Sequence, residues 1–504
     1  MKVCLLIPSW RENVNGSPPL GVAYMASALE QHGHQVRIFD WTLEPGLSFK
    51  ERMGQVSQAN PDIIGLTVPT GSYPVAQKAI AQLKKEIGCP VVFGGSHAAL
   101  HPRSILLENR DLDFVIPGEG QEVLIELLAA LEKPGAELEG ISGLLFRHKG
   151  TIIDNLNGRS SIDFNSLFPA FHLFELERYA LTHADGSFML PLLIGWKEGA
   201  QGDRWPRRPV GNVIAELRYN YARYNSRAAW FIGQPFSVND PWAGQFTQSI
   251  IDRRLGIQWR CRADVARVTP RFLGQMRHAG CRQVDYFFQL EGASLDDKDY
   301  LDKLRKNVTW TAKLDIKSEG HFEIGRPGDS EEKIREIVRF ATSLDLDQVE
   351  IRPYCPAPKP LEWNLIQEQY IATGQTAWIC QAFYDTDQFH NGYPAWLNGS
   401  DISYTRLIDL AQKGRKMASE AKRRKKYELY FGKKLGMFLW QLSHQRSIRF
   451  IGRRIVDWGV FSDLRMTTGE SKKGNSARST AQNVQDKELP LSSSDKQGAS
   501  ASVS

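Results

Sequence analysis

Cysteine is sparse in this sequence and never closely paired. The 504 residues include six (Cys4, Cys89, Cys261, Cys281, Cys355 and Cys380), and no two stand in a C-x-x-C spacing. Their scatter excludes a disulfide framework and a zinc knuckle, which both need regularly spaced thiols, and it fits a reducing cytoplasm. A long apolar run is also missing at the start. MKVCLLIPSWRENVNGSPPLG has one lysine and a short hydrophobic stretch, so it reads as a first β-strand rather than a signal peptide or a membrane span. Nor does one sign of charge dominate. Lys and Arg number 63 against 57 Asp and Glu, and with 42% apolar and 24% charged residues the composition is that of a soluble globular protein. At about 100–200 residues per domain, the length predicts two or three domains with cores of their own.

The small excess of positive charge is local. Residues 411–460 hold fourteen Lys/Arg against three Asp/Glu, while the whole chain carries only +6, so the remainder is net acidic. That distribution points to a local partner surface and not to whole-protein nucleic-acid binding.

Apolar runs and helical periodicities alternate from the start. KVCLLI (2–7) predicts a buried strand, PPLG (18–21) opens a helix that Gly33 stops, and VRIFDW (36–41) is the next strand. Strand 63–68, helix 75–87, strand 91–93, helix 104–109, a short strand 114–116 and helix 122–131 complete the unit. Such alternation predicts an α/β, doubly wound (Rossmann-like) parallel sheet over residues 1–138, with ligands at the carboxyl ends of its strands. Those ends carry Pro8–Ser9, Thr67–Val68, Gly94–Gly95–Ser96–His97 and Pro117–Gly118–Glu119–Gly120. Three of the four are small-residue turns that let a bulky ligand approach the backbone.

Residues 139–187 read as a linker with a hairpin (GLLFRHKGTIIDN). Residues 188–365 form a second alternating unit of about six βα repeats without closure, a partial (β/α) TIM-type barrel. Residues 366–465 read as a mostly helical, basic C-terminal region. The Ser-, Lys-, Gly- and Gln-rich tail 466–504 reads as disordered.

The segments PPLGVAYMASALEQHGHQVRIFD, PDIIGLTV, PVVFGGSHAAL and DFVIPGEGQEV, in that order, resemble the cobalamin-binding domain of the B12-dependent (class B) radical S-adenosylmethionine family. RWPRRPVGNVIAEL, WRCRADVARVTPRFLGQMRHAGCRQVDYFFQLEGAS, HFEIGRPGDSEEKIREIVRFATSL and RPYCPAPKPLEW resemble its barrel, so the resemblance covers roughly residues 1–365. It implies methyltransferase or cyclase chemistry and cobalamin lying across the first domain's strand ends. The implied cofactor-binding residues are Pro8, Leu20, Gly21, Thr67, Val68, Gly94, Gly95, Ser96, His97, Gly118, Glu119, Gly120 and, from the barrel, Glu291. A D-x-H-x-x-G motif is absent after the first strand, which implies a base-off corrinoid with no histidine on cobalt. His97 is read as positional or hydrogen-bonding, and Gly118–Glu119–Gly120 as either a structural turn or a cofactor wall.

One departure from the family matters. Relatives carry C-x-x-x-C-x-x-C after the first barrel strand, and those three thiolates hold a 4Fe–4S cluster whose fourth iron takes S-adenosylmethionine. Here the segment reads FMLPLLIGWKEGAQGDRW (188–205), without cysteine. Lys197, Glu198 and Asp203 are poor substitutes for soft thiolates. No cluster and no other metal site is therefore expected. S-adenosylmethionine stays an open second ligand, and catalytic residues stay unassigned. Arg207, Arg208, Arg260 and Arg262 either line the old cavity or pair with neighbouring acids. The function expected is that of an accessory or non-radical member, with or beside a partner enzyme, in the modification of a hydrophobic metabolite such as a lipid, pigment or natural product. The alternative is an active enzyme with unrecognised cluster ligands.

In the basic region, Phe431, Leu435, Met437, Phe438, Leu439, Trp440, Ile451, Ile455 and Trp458 are interleaved with Lys and Arg. An amphipathic helix at an anionic membrane surface (residues 413–460, at the inner face of the membrane) and a helix packed on the barrel with a solvated basic side both fit. Nucleic acid fits less well, because no aromatic-basic module is present.

Overall fold

The computed structural model describes residues 1–8, 16–69, 72–156 (134 and 136 apart), 167–179, 188–195, 206–290, 294–326, 329–354 and 402–443 (403 apart). Glu291, the loop 196–205, Cys355, Cys380 and the tail lie outside the described residues. By internal contacts the chain divides into a unit Met1–Lys426 and a unit Tyr427–Ser504.

The first sheet has the order β2-β1-β3-β4-β5-β6-β7. Its parallel strands are β1 (Lys2–Ile7), β2 (Gln35–Asp40), β3 (Ile63–Thr67), β4 (Val91–Gly94) and β5 (Phe114–Val115). The strands read as near-continuous apolar runs because helices cover both faces. Helices α1 (Leu20–Gln31) and α6 (Gln121–Leu131) pack on one side, where Leu5, Ala26, Leu29 and Leu127 meet. On the other, α2 (Phe49–Gln58), α3 (Tyr73–Glu86), α4 (Ser96–Leu100) and α5 (Pro102–Glu108) enclose Leu6, Val56, Leu83 and Phe93. The strand order reverses between β1 and β3, and that is where an open sheet leaves a crevice outside its carboxyl ends. Lys84 of α3 pairs with Asp113 at 2.9 Å, and Asp113 also accepts from the Val91 amide at 2.8 Å, which ties helix, β4 and β5 together below the crevice. The hairpin β6 (Leu145–His148) and β7 (Thr151–Asp154), placed in a linker by the sequence reading, extends this sheet by pairing antiparallel to β5.

The second sheet is six parallel strands in sequential order: β8 (Met189–Leu193), β9 (Ala228–Phe236), β10 (Gln258–Ala263), β11 (Cys281–Phe288), β12 (Lys317–Ile324) and β13 (Gln348–Pro353). Helices α7 (Val210–Tyr224), α8 (Pro241–Asp252), α9 (Pro270–His278), α10 (Lys298–Lys313) and α11 (Glu331–Ser343) connect them and cover one face. Four of these five N-termini are capped in the same way, the exception being α7, which Pro209 precedes. Asp240, Thr269, Asp297 and Ser330 each accept a backbone N–H of the first turn, which satisfies donors that a helix start leaves free. The core lies between sheet and helices, with Leu192, Phe231, Trp259, Cys261, Val284, Tyr286 and Phe322 among its members.

Helix α12 (Tyr404–Phe431) runs on from the gap after β13. Over residues 405–426 it packs on the second sheet's last repeat. Leu407, Leu410 and Ala411 are buried in the same core, and a side chain on Gly414 would run into Ile351 and Val338. Its basic residues reach acids of that repeat: Arg406 to Glu331 (2.6 Å), Arg415 to Glu350 (2.9 Å), Lys422 to Asp347 (2.5 Å) and Lys425 to Asp345 (3.0 Å). This is the packed-helix reading of the basic region for that stretch. In the second unit the end of α12 is followed by α13 (Lys433–Ser443). Among the described residues, no helix is long and apolar enough to cross a membrane.

Candidate functional site

The strand ends of the first sheet form a graded shelf. Ser96, Gly118 and Glu119 are exposed, Thr67, Gly94 and Gly95 are half-buried, and Pro8, Val68, His97 and Gly120 lie buried beneath. Leu20 and Gly21 begin α1, with Gly21 exposed and Leu20 half-buried. The sequence-predicted residues of β3 and β4 are brought together by register: Thr67 stands opposite Gly94, the Val68 amide donates to the Gly94 carbonyl at 2.9 Å, and the His97 amide donates to Val68 at 3.1 Å.

The two glycines differ in kind. Gly95 has φ +95°, and a Cβ there would lie 2.6 Å from the Val68 nitrogen, so this glycine is required by the chain itself. A Cβ on Gly94 would meet nothing closer than 3.7 Å, which leaves its backbone approachable from above.

His97 is 2% exposed. Its ring lies 4.3 Å from that of Tyr73 and 5.3 Å from that of His101. Burial, with His101 beside it, pushes its pKa down to about 3, and burial takes His101 down to about 4. Both imidazoles are neutral members of a packed cluster that includes the Tyr73–Glu108 hydrogen bond (2.6 Å). A ring held in that way is not available to a metal outside the shelf.

The four arginines separate into two pairs. Arg207 binds Asp240 and lies over the Trp242 ring at 4.7 Å. Arg208 is fully buried between Glu216, the Tyr24 hydroxyl and the Leu193 carbonyl. Both hold the fold. Arg260 and Arg262 project from the face of β10 opposite to Trp259, Cys261 and Ala263, because side chains alternate along a strand.

That helix-free face carries residues the sequence reading did not single out. Asp285, Glu319 and His321 come within 4.8 Å of one another through their ligand atoms, the kind of group that holds a cation. Asp285, however, is engaged at both oxygens, by Arg260 at 2.8 Å and Gln283 at 3.0 Å. Glu319 is pushed upward by burial and by the charge of Asp285, and His321 is lowered by burial. The Phe287 ring, 45% exposed, stacks on His321 at 4.4 Å, and the Arg262 guanidinium lies 3.9 Å from its centroid. A signal was available in Q-V-D-Y-F-F and S-E-G-H-F-E, where polar or charged groups recur at every second position of buried strands. That pattern marks a sheet with one dry and one wet face.

The described cysteines stand apart from this face. Cys261 and Cys281 are fully buried in the helix-side core, where burial and their mutual contact push the Cys261 thiol well up. Cys4 sits in the core of the first sheet.

A sheet with a crevice at its small-residue strand ends is thus followed by a partial barrel of six parallel strands. Residues 14–128 match the B12-binding family, described as a B12 binding domain. Among known proteins the chain is similar to an uncharacterized methyltransferase of Pyrococcus horikoshii, 28% identical over 394 residues, or 72% of this chain and 83% of the relative. It is also similar to the anaerobic magnesium-protoporphyrin IX monomethyl ester cyclase of Synechocystis, 28% identical over 250 residues, 48% of this chain and 50% of that protein. Its fold matches the radical S-adenosylmethionine methyltransferase TsrM from Kitasatospora setae, solved with cobalamin and a 4Fe–4S cluster, with TM-score 0.59 and 16% identity over 73% of this chain and 75% of that one. The helix-free face of the second sheet is thus the barrel lumen.

Proposed function

We propose that this protein binds a corrinoid on the first domain's strand ends and works without a radical-generating cluster, as a non-radical or accessory member of the methyltransferase and cyclase group. The observation that carries the reading is the cysteine-free segment 188–205. The placement of Cys261 and Cys281 supports it, since both face away from the lumen. The shelf fits the cofactor. Gly94 leaves backbone open to a bulky group, Thr67 offers a hydroxyl beside it, and Ser96, Gly118 and Glu119 form its exposed edge, with Pro8, Val68 and Gly120 beneath and Leu20–Gly21 alongside. His97 is packed away, which supports a corrinoid with no protein histidine on cobalt. When bound, cobalamin supplies one-carbon carrier chemistry. The chain's own part is to hold it and to receive a hydrophobic small-molecule substrate in the lumen.

The test is iron and sulfide content after anaerobic reconstitution, together with corrinoid absorbance after incubation with hydroxocobalamin. Bound corrinoid with background iron is the expected result. About four irons per chain, with 5′-deoxyadenosine formed from S-adenosylmethionine, would replace this reading by the active radical enzyme.

A specific observation favours peripheral membrane attachment through the second unit. Leu429, Tyr430, Leu435 and Phe438 are exposed there next to Lys433 and Lys434, the composition of an interfacial helix. Cosedimentation with phosphatidylserine vesicles that weakens in high salt, and on truncation after Lys426, is expected. Equal partitioning of both forms sinks the idea.

A further inference from the structure

Three strands place three flat groups side by side on the lumen face. Phe287 of β11 receives Arg262 from β10 at 3.9 Å and His321 from β12 at 4.4 Å, the two rings only 9° from parallel. The flanking strands supply one neighbour each against the Phe287 ring, which nevertheless stays 45% exposed. Stacking also restrains Arg262, whose guanidinium would otherwise lose several rotors on binding a ligand.

The charges around it are unevenly satisfied. Arg260 is held by Asp285 at 2.8 Å, Arg352 by Glu350 at 3.2 Å, and Arg326 by Glu323 at 2.8 Å. Asp285, the nearest acid in register with Arg262, already spends both oxygens on Arg260 and Gln283. Among the described residues none offers Arg262 a hydrogen-bond acceptor, and although the residue as a whole is exposed, partial burial lowers its pKa while the charge of Asp285 works against that shift. A restrained guanidinium with no hydrogen-bond partner, beside an exposed aromatic ring, is a receptor for an anion carried on an apolar body. The fork supplies two charge-assisted hydrogen bonds, and the ring supplies contact area.

We propose that Arg262, stacked on Phe287 and His321, is the anchoring residue for the substrate, and that the substrate carries a carboxylate or phosphonate-like group on a hydrophobic or aromatic frame. This rests on the reading that the lumen holds a substrate, but not on whether corrinoid or a cluster is present.

The test uses full-length protein and three fluorescent probes of one frame: pyrenebutyrate, pyrenebutanol and pyrenebutylammonium. Their affinities are measured by titration with and without added hydroxocobalamin. Charge-assisted pairing predicts that the carboxylate binds about tenfold or more tighter than the alcohol. Arg262→Gln should abolish that preference with little effect on the alcohol, whereas Phe287→Ala should weaken both. Arg262→Lys should restore part of the preference, since a point charge replaces the fork. Unchanged circular dichroism and melting temperature in the variants tie the changes to the site. Equal affinity for acid and alcohol, or a preference that survives Arg262→Gln, overturns the proposal. So does tighter binding of the ammonium probe, or saturable Mn²⁺ binding lost in Glu319→Gln, because either makes the lumen a cation site at Asp285, Glu319 and His321. Iron and corrinoid content are read separately, so failure of the functional reading and failure of this one are distinguishable.

Discussion

Arg208 and Glu216 meet at 2.5 Å with neither side chain exposed, and the Tyr24 hydroxyl, from the first domain's α1, joins both at 2.9 and 3.1 Å. The ion pair belongs to the barrel, while its third member belongs to the cobalamin-binding domain. Two further nitrogens of Arg208, Nε and Nη2, are buried without a hydrogen-bond partner. The pair is therefore costly to bury, and it is most useful where it fixes a unique docking of one domain on the other.

Breaking this pair from one side should cost about 3–5 kcal/mol, since the remaining charge is left buried. Arg208→Met is expected to lower the unfolding midpoint strongly, and Tyr24→Phe to cost about 1 kcal/mol of stability. The double variant Arg208→Met/Glu216→Leu should recover much of the loss. Denaturant unfolding checks this, and a double variant as unstable as the worse single one would refute it.

The adjacent glycines at the end of β4, Gly94 and Gly95, should respond differently to alanine. Gly95→Ala places a methyl 2.6 Å from the Val68 nitrogen at φ +95°, so the first domain is expected to be destabilised whether or not corrinoid is added. Gly94→Ala has room, so it should fold with a nearly unchanged midpoint and lose corrinoid affinity. Thermal melts and hydroxocobalamin titration of both variants separate the two roles. Equal melts for the two would contradict the geometry.

Acid should loosen the first domain early. In the unfolded chain His97 and His101 take up protons near their ordinary value of 6.5, but folded they resist until about 3 and about 4. The unfolded state therefore binds more protons through that window, and stability falls as pH is lowered from about 6.5 toward 4. A His101→Asn variant should show a shallower fall. If the variant and the parent have identical pH slopes in urea unfolding, these histidines are not the cause.

Helix α12 should be held to the barrel by apolar contact more than by its ion pairs. A Cβ on Gly325 would lie 2.5 Å from Leu407 Cδ1, and the φ there is +80°, so Gly325→Val is expected to undock the helix. Lys425→Ala removes an exposed pair and should cost under about 1 kcal/mol. Protease cleavage rates within 404–426 report the difference, and rapid cleavage in Lys425→Ala alone would reverse the ranking.

What the sequence made legible follows from how each feature is encoded. The first sheet's strands are apolar runs closed by small-residue turns, and both signals are local. Helices α2 and α10 carry only a sparse apolar pattern, because few of their residues face the core: Met53 and Val56 in one, Leu304, Asn307, Val308 and Thr311 in the other. Their caps were nevertheless written in the chain, as the Ser48–Glu51 capping box and the Asp297 side chain on the Tyr300 amide. His97 looked functional by its place after Gly-Gly-Ser, but only the turn's geometry tells that its ring enters the Tyr73 cluster. Asp285, Phe287, Glu319 and His321 could not be grouped from sequence, since they lie on two strands some 35 residues apart and meet only through register.

Along β10 to β12 each strand divides its labour residue by residue. Trp259, Cys261, Tyr286 and Phe322 belong to the helix-side core, while Arg260, Arg262, Asp285, Phe287 and His321 belong to the lumen. Heredity can therefore edit the two faces separately. A lineage that abandons one reaction can rewrite the lumen position by position, under selection for a new ligand, while the alternate residues keep the same sheet standing.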